Sequence, residues 1–210
     1  MIELELKYCL DKMPPNLKNL EFVGSKFQSD VYFDTKDYDL LKNGNFLRVR
    51  NGKTLDFKID VNDNSHLVCK ETSFAVDILS SYLPEINNVF NMVGIPESSE
   101  FVDFQQFLAV NKLQVIAKID KKRSDFMFGD NYTISVDEVA DLGWFLEAEI
   151  IIDSDNILLA EANKIKRNLV EQLVAAGILT TKSNEINVGY VELYLLKHNK
   201  YAYDLGKFKK

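Results

Sequence analysis

The chain has 210 residues, 46% of them apolar and 27% charged, with a net charge of −7. That size and composition fit one soluble globular domain over residues 1–210, and the acidic balance argues against broad nucleic-acid binding. No apolar run is long enough to cross a bilayer, no basic-then-apolar leader opens the chain, and Cys9 and Cys69 are too few for a disulfide framework, so the expected setting is cytoplasmic and membrane-free.

The first half reads as strands. Glu3-Leu4-Glu5-Leu6-Lys7 alternates from the start, and period-two alternation puts Glu3, Glu5 and Lys7 on one face. Residues 11–28 hold Pro14, Pro15 and Gly24, with Leu17 and Leu20 in a short helix. Val31-Tyr32-Phe33 is a strand ending at Asp34, and residues 37–45 form a polar connection. Phe46 to Arg50 alternates, Asn51-Gly52 signals a hairpin, and Thr54 to Asp60 alternates again. Residues 62–65 are a turn, and residues 67–73 return as a strand. Residues 75–92 carry apolar side chains at helical spacing, with Pro84 breaking the run. A second helix is predicted over residues 99–111. Strands follow over residues 115–128, 132–139 and 144–152, with a turn at Gly129-Asp130-Asn131. Residues 154–176 form the clearest helix, with a stripe of Leu158, Ala162, Ile165, Leu169 and Leu173 and a C-cap at Gly177. Residues 188–197 close with a short helix. Strands in two runs separated by helices predict an α+β fold, an antiparallel sheet closing on itself with helices outside and at its ends.

Charge on these strands follows one rule. Glu147 and Glu149 repeat the arrangement of Glu3 and Glu5. Four carboxylates brought together would repel one another without a divalent cation, and an oxygen-only set suits Mg²⁺ or Mn²⁺. Arg48 and Arg50 stand two apart, as do Lys121 and Arg123, and Lys58 shares a face with Asp56 and Thr54. With Lys7 these make six strand cations. Charge-assisted hydrogen bonds from such a set hold phosphate groups. Taken singly, each pattern also fits a half-buried strand with a solvated side. Neither His66 nor His198 falls in a motif, and both read as surface residues.

The ordered series resembles the CYTH superfamily, the triphosphate tunnel metalloenzymes. It runs from the signature Glu3-x-Glu5-x-Lys7 through Tyr32-Phe33-Asp34-Thr35, Leu47-Arg48-Val49-Arg50 and Phe57-Lys58. It continues with Lys121-x-Arg123, Val136-Asp137-Glu138-Val139, Leu142-Gly143-x-Phe145-x-Glu147-x-Glu149 and Tyr190-Val191-Glu192-Leu193. Known members include class IV adenylyl cyclases, thiamine triphosphatases and inorganic triphosphatases. The resemblance implies an eight-stranded antiparallel β-barrel forming a tunnel. It makes Glu3, Glu5, Asp137, Glu147 and Glu149 metal-site carboxylates for Mg²⁺ or Mn²⁺, and Lys7, Arg48, Arg50, Lys58, Lys121 and Arg123 the clamp on a triphosphate. Two departures stand out: Cys69-Lys70-Glu71-Thr72 where the family often has Arg then Glu, and Gly189 where a small hydroxyl residue often precedes the C-terminal Tyr.

The implied activity is metal-dependent hydrolysis of a small triphosphate-bearing substrate by water attack at the terminal phosphorus, using Glu3, Glu5, Lys7, Arg48, Arg50, Glu147 and Glu149. The alternatives are cyclisation of ATP to cyclic AMP and pyrophosphate, and binding of polyphosphate without turnover. Leu40-Leu41-x-x-Gly44 looks more like thiamine triphosphatase relatives than class IV cyclases. The organic part of the substrate stays open. The expected state is a monomer or homodimer with no nucleic-acid or membrane partner.

Overall fold

The computed structural model describes residues 2–60, 69–129, 132–152, 159–180 and 182–207. In chain order the elements are β1 (Ile2–Leu10), β2 (Glu21–Thr35), α1 (Asp39–Lys42), β3 (Phe46–Arg50), β4 (Thr54–Asp60), β5 (Cys69–Ala75), α2 (Leu83–Val93) and α3 (Phe104–Val110). Then come β6 (Leu113–Phe128), β7 (Tyr132–Val139), β8 (Gly143–Ile152), α4 (Leu159–Ala175), β9 (Asn184–Glu185), α5 (Tyr190–His198) and α6 (Lys200–Leu205). The fold is α+β and its recorded strand pairs are antiparallel.

The chain packs as two units. The first comprises Met1–Phe27 and Lys121–Asn187, and the second Gln28–Asp120 and Val188–Lys210. β2 and β6 each supply residues to both. The first unit's sheet has the order β2, β6, β7, β8, β1, β9; the second unit's runs β5, β4, β3, β2, β6.

Each sheet segregates its faces. In the first unit Leu6, Tyr8, Phe126, Ile134, Val136, Leu146 and Ala148 form one apolar face, which packs with Leu169 and Leu173 of α4. In the second unit Leu47, Val49, Leu55, Phe57 and Phe74 do the same against Ile86 and Phe90 of α2 and Phe107 of α3. Phe57 meets Phe90 edge-on at 5.8 Å between ring centres, a favoured aromatic geometry. Burying one face of each strand fixes its register, because a one-residue slip would expose every core side chain. The opposite faces carry the charges.

Several expectations agree with the structure. β3, β4 and β7 have the predicted bounds. Asn51 and Gly52 both adopt positive φ, 54° and 68°, as the central pair of a primed turn requires, and the Lys53 amide donates to the Arg50 carbonyl at 3.0 Å. Gly177, at φ 67°, follows α4 as predicted. The short helix expected within residues 11–28 is present as a 3₁₀ helix, Pro15–Asn19, with Leu20 at its C-cap. The run over residues 75–92 is interrupted at Pro84 as expected: a 3₁₀ helix spans Val76–Tyr82, and α2 starts afresh at Leu83 with Pro84 in its first turn, where its missing N–H costs nothing. Other expectations need correction. β2 is 15 residues long, not three. The connection after Thr35 holds α1, whose Leu40 and Leu41 amides both donate to the buried Asp34 carboxylate at 3.0 Å. α6 and β9 lie where no element was expected.

Among the described residues, eight strands of five or more residues agree in number with the barrel expected; β9 adds a ninth of two residues. Among the described residues the strand order ends at β5 and at β9, with no pairing that closes it into a ring. The predicted turn over residues 62–65, His66, Leu67, Asp130, Asn131, residues 153–158 and the basic end at 208–210 lie outside the described residues. So do the side chains of Glu3, Cys69 and Lys70.

Candidate functional site

Cross-strand register assembles the first unit's charged face rank by rank. Lys7 stands opposite Glu147, Glu147 opposite Ser135, and Ser135 opposite Asp125. One rank along, Arg123 stands opposite Asp137; on the other side Glu5 stands opposite Glu149. Six of the predicted site residues are thereby gathered into one ion-paired network. Lys121 Nζ donates to Asp137 Oδ2 at 2.7 Å, and Arg123 donates Nε to Oδ1 at 2.8 Å and Nη2 to Oδ2 at 2.6 Å. Arg123 also donates to Glu147. Lys7 Nζ lies 3.1 Å from Glu147 Oε1 and 2.9 Å from Glu5 Oε1. The network is buried: side-chain exposure is 0% for Asp137, 5% for Lys121 and 7% for Glu147.

Burial at such a face sets charge states by competition. Burial opposes ionisation of Glu147, but Lys7, Arg123 and Lys121 override it, and the carboxyl titrates well below its usual range. Burial likewise works against the Lys7 ammonium, yet Glu147 and Glu5 hold its pKa above the ordinary lysine value. At Lys121 burial prevails: with Arg123 alongside, it lowers the pKa despite Glu147 and Asp137.

The second unit's face is built the same way. Asp30 stands opposite Arg50 and Tyr32 opposite Arg48, while Arg48 stands opposite Asp56 and Lys58 opposite Glu71. Asp30 accepts two bonds from Arg50, from Nε at 3.0 Å and Nη2 at 3.2 Å. Arg48 donates Nε to Asp56 at 3.0 Å and Nη2 to Glu71 at 2.8 Å. Burial opposes the Arg48 charge, and Tyr32, Asp30 and Glu71 more than restore it. Lys58 is exposed on this face. Asp30 and Asp56 are buried backing acceptors, whereas the Glu71 side chain is 45% exposed. Asp30 carried no sequence signal, since it precedes the predicted strand. The pairing of Asp56 and Glu71 with Arg48 follows from register between strands, which alternation along one strand does not reveal.

Glu5 and Glu149 face each other across β1 and β8. Like charges directly opposite on a sheet are destabilising, and a cation between them relieves the repulsion. The donors are all oxygens, which suits Mg²⁺ or Mn²⁺. Glu3 lies on the same strand, and Glu147 two residues from Glu149. Among the described residues no three such side chains already converge on one point. Asp137 has both oxygens taken by Lys121 and Arg123. The donor chemistry fits; the carboxylates would have to draw together around an ion.

The sequence model of the CYTH domain matches residues 1–181. A Methanocaldococcus jannaschii protein named "Putative adenylate cyclase" is 28% identical over 198 residues, covering 92% of this chain and 98% of its own length. The fold is similar to that of the PH1819 protein of Pyrococcus horikoshii, with a TM-score of 0.60 at 21% identity, covering 93% of this chain and 99% of that one. It is also similar to a Hippeastrum protein, described as a "putative adenylyl cyclase" with a dominant triphosphatase activity, with a TM-score of 0.64 at 16% identity over 93% of this chain and 95% of that one. No helix among the described residues is long and apolar enough to cross a membrane.

Proposed function

The chain belongs to the CYTH domain family, whose members act on triphosphate substrates, and from that premise we propose that it is a divalent-metal-dependent triphosphatase, water attacking the terminal phosphorus. The observation that carries the reading is the buried network of Lys7, Lys121, Arg123, Asp137 and Glu147. Well-packed apolar side chains would stabilise a sheet at least as well as buried ion pairs do. Stability alone gives no reason to keep five charges there, whereas binding a polyanion does.

The cations Lys7, Arg48, Arg50, Lys58, Lys121 and Arg123 bind the phosphates. Arg48 and Arg50 give planar, paired hydrogen bonds; the lysines act as point charges. Asp30 and Asp56 hold the guanidinium planes from behind. Glu71, the most exposed acceptor on Arg48, is the one that phosphate oxygens replace. Glu3, Glu5, Glu147 and Glu149 would hold the Mg²⁺ or Mn²⁺, with Asp137 as a further candidate. A bound ion there would neutralise phosphate charge and lower the pKa of a water. The burial of Lys7, Lys121, Arg123, Asp137 and Glu147 strengthens the contacts those residues make.

The name of the Methanocaldococcus jannaschii relative favours a second reading, cyclisation of ATP to cyclic AMP and pyrophosphate. A panel of tripolyphosphate, thiamine triphosphate and ATP, each with Mg²⁺ and Mn²⁺, separates the readings. Orthophosphate release supports hydrolysis. Cyclic AMP without orthophosphate overturns it in favour of cyclisation. Tight tripolyphosphate binding with no turnover across the metals would leave a binding module.

A further inference from the structure

Lys166 is a half-buried lysine beside Ile165, on the edge of the apolar stripe of α4. α4 buries Ala162, Leu169 and Leu173, and Lys166 borders that stripe, four residues after Ala162 and three before Leu169. A half-buried ammonium at the edge of the core-facing side of a helix is costly unless it is well partnered. Burial lowers its pKa, against the pull of Glu185 and Glu5. Its Nζ donates to the backbone carbonyl of Glu5 at 2.8 Å.

That carbonyl belongs to the outer edge of β1. β9 covers part of the edge: Glu185 stands opposite Tyr8, Asn184 opposite Cys9, and the Ile186 amide donates to the Lys7 carbonyl at 2.8 Å. β9 is two residues long, so its ladder stops there. The next carbonyl on the same edge is that of Glu5, and Lys166 supplies the missing donor. Strand and helix together therefore fix the stretch of β1 that presents Glu5 opposite Glu149.

We propose that Lys166 is a positioning residue for the metal-binding strand: by holding the Glu5 carbonyl it fixes the backbone from which the Glu5 carboxylate meets a divalent ion. This rests on the proposed role of Glu5 in holding that ion. Partners one step removed from a metal ligand typically change metal affinity about 10–100-fold when lost.

The test is Mn²⁺ binding to the full chain, followed by electron paramagnetic resonance without substrate, for the parent, Lys166→Met, Lys166→Arg and Glu5→Gln. Lys166→Met should weaken Mn²⁺ binding about tenfold, the lower end of that range, and Lys166→Arg should restore most of it. Glu5→Gln should weaken it more than either. Should Lys166→Met not fold, Lys166→Gln serves in its place. A Lys166→Met protein that binds Mn²⁺ as the parent does, while Glu5→Gln does not, overturns the positioning role and leaves the proposed function standing. A lowered unfolding midpoint with unchanged Mn²⁺ affinity would show a purely structural lysine and overturns it too. Parent-like Mn²⁺ binding by Glu5→Gln refutes the metal role of Glu5 itself, and the positioning role with it.

Discussion

Replacing Asp137 by alanine would remove the acceptor shared by Lys121 and Arg123 at the centre of the first unit's charged face. None of the three side chains is exposed by more than 14%, so solvent screening offers little relief. Breaking a buried ion pair by deleting one partner typically costs about 3–5 kcal/mol. Two features hold the expected loss near the lower end. Arg123 keeps its bond to Glu147. Lys121, whose pKa burial already lowers, can shed its proton once Asp137 is gone. The predicted loss is therefore about 3 kcal/mol near neutral pH, read from urea unfolding followed by circular dichroism. The sign with pH follows. A lysine whose folded pKa lies below its ordinary 10.5 destabilises the fold while protonated, so the deficit of Asp137→Ala should shrink as pH rises toward 10.5. The double variant Lys121→Met with Asp137→Ala should recover part of the loss, as coupled neighbours do. If Asp137→Ala does not fold, Asp137→Asn, which keeps the shape and one acceptor, gives the smaller measurable loss. A cost below about 1 kcal/mol, with no pH dependence and no recovery in the double variant, would refute this reasoning.

Three further outcomes are expected. Glu147 titrates below its ordinary 4.5, so the stability it contributes is present above that pH and is lost as pH falls through the folded value; Glu147→Gln should flatten the fall in urea midpoint between pH 4.5 and about pH 2. Asp30→Asn loosens the paired bonds to Arg50 at 3.0 and 3.2 Å, and should raise KM for tripolyphosphate about tenfold with a smaller change in kcat, measured by initial rates. Arg48→Lys keeps the charge but cannot reach both Asp56 and Glu71 in one plane; turnover should fall at least about tenfold while the thermal midpoint stays within a few degrees, measured on the same preparation.

The strands that sequence placed correctly are those with one apolar and one charged face. β4 alternates throughout, β3 from Leu47 to Arg50 and β7 from Thr133 to Asp137, because an apolar core covers one face. The first half of β2 gave no such signal, since Phe22, Val23 and Phe27 are all exposed and neither face is consistently apolar. α1 and β9 are too short for any period to register. Pro84 was legible as a break because a ring that cannot sit in a helix interior suits a first turn, where α2 starts afresh. At the candidate site the cations were recognisable from spacing within a strand. Their acceptors were harder, because Asp30 meets Arg50, and Glu71 meets Arg48, only through pairing between strands. Lys166 was hidden because it lies beside a complete apolar stripe, and its bond to a backbone carbonyl leaves no mark in residue type.

The decisive measurement is ³¹P nuclear magnetic resonance of tripolyphosphate incubated with the protein and Mg²⁺, beside Arg48→Ala. Hydrolysis at the end of the chain predicts matched growth of orthophosphate and pyrophosphate with the parent and neither with Arg48→Ala. An unchanged tripolyphosphate spectrum with the parent in both Mg²⁺ and Mn²⁺, or equal product from Arg48→Ala, would contradict the proposed triphosphatase.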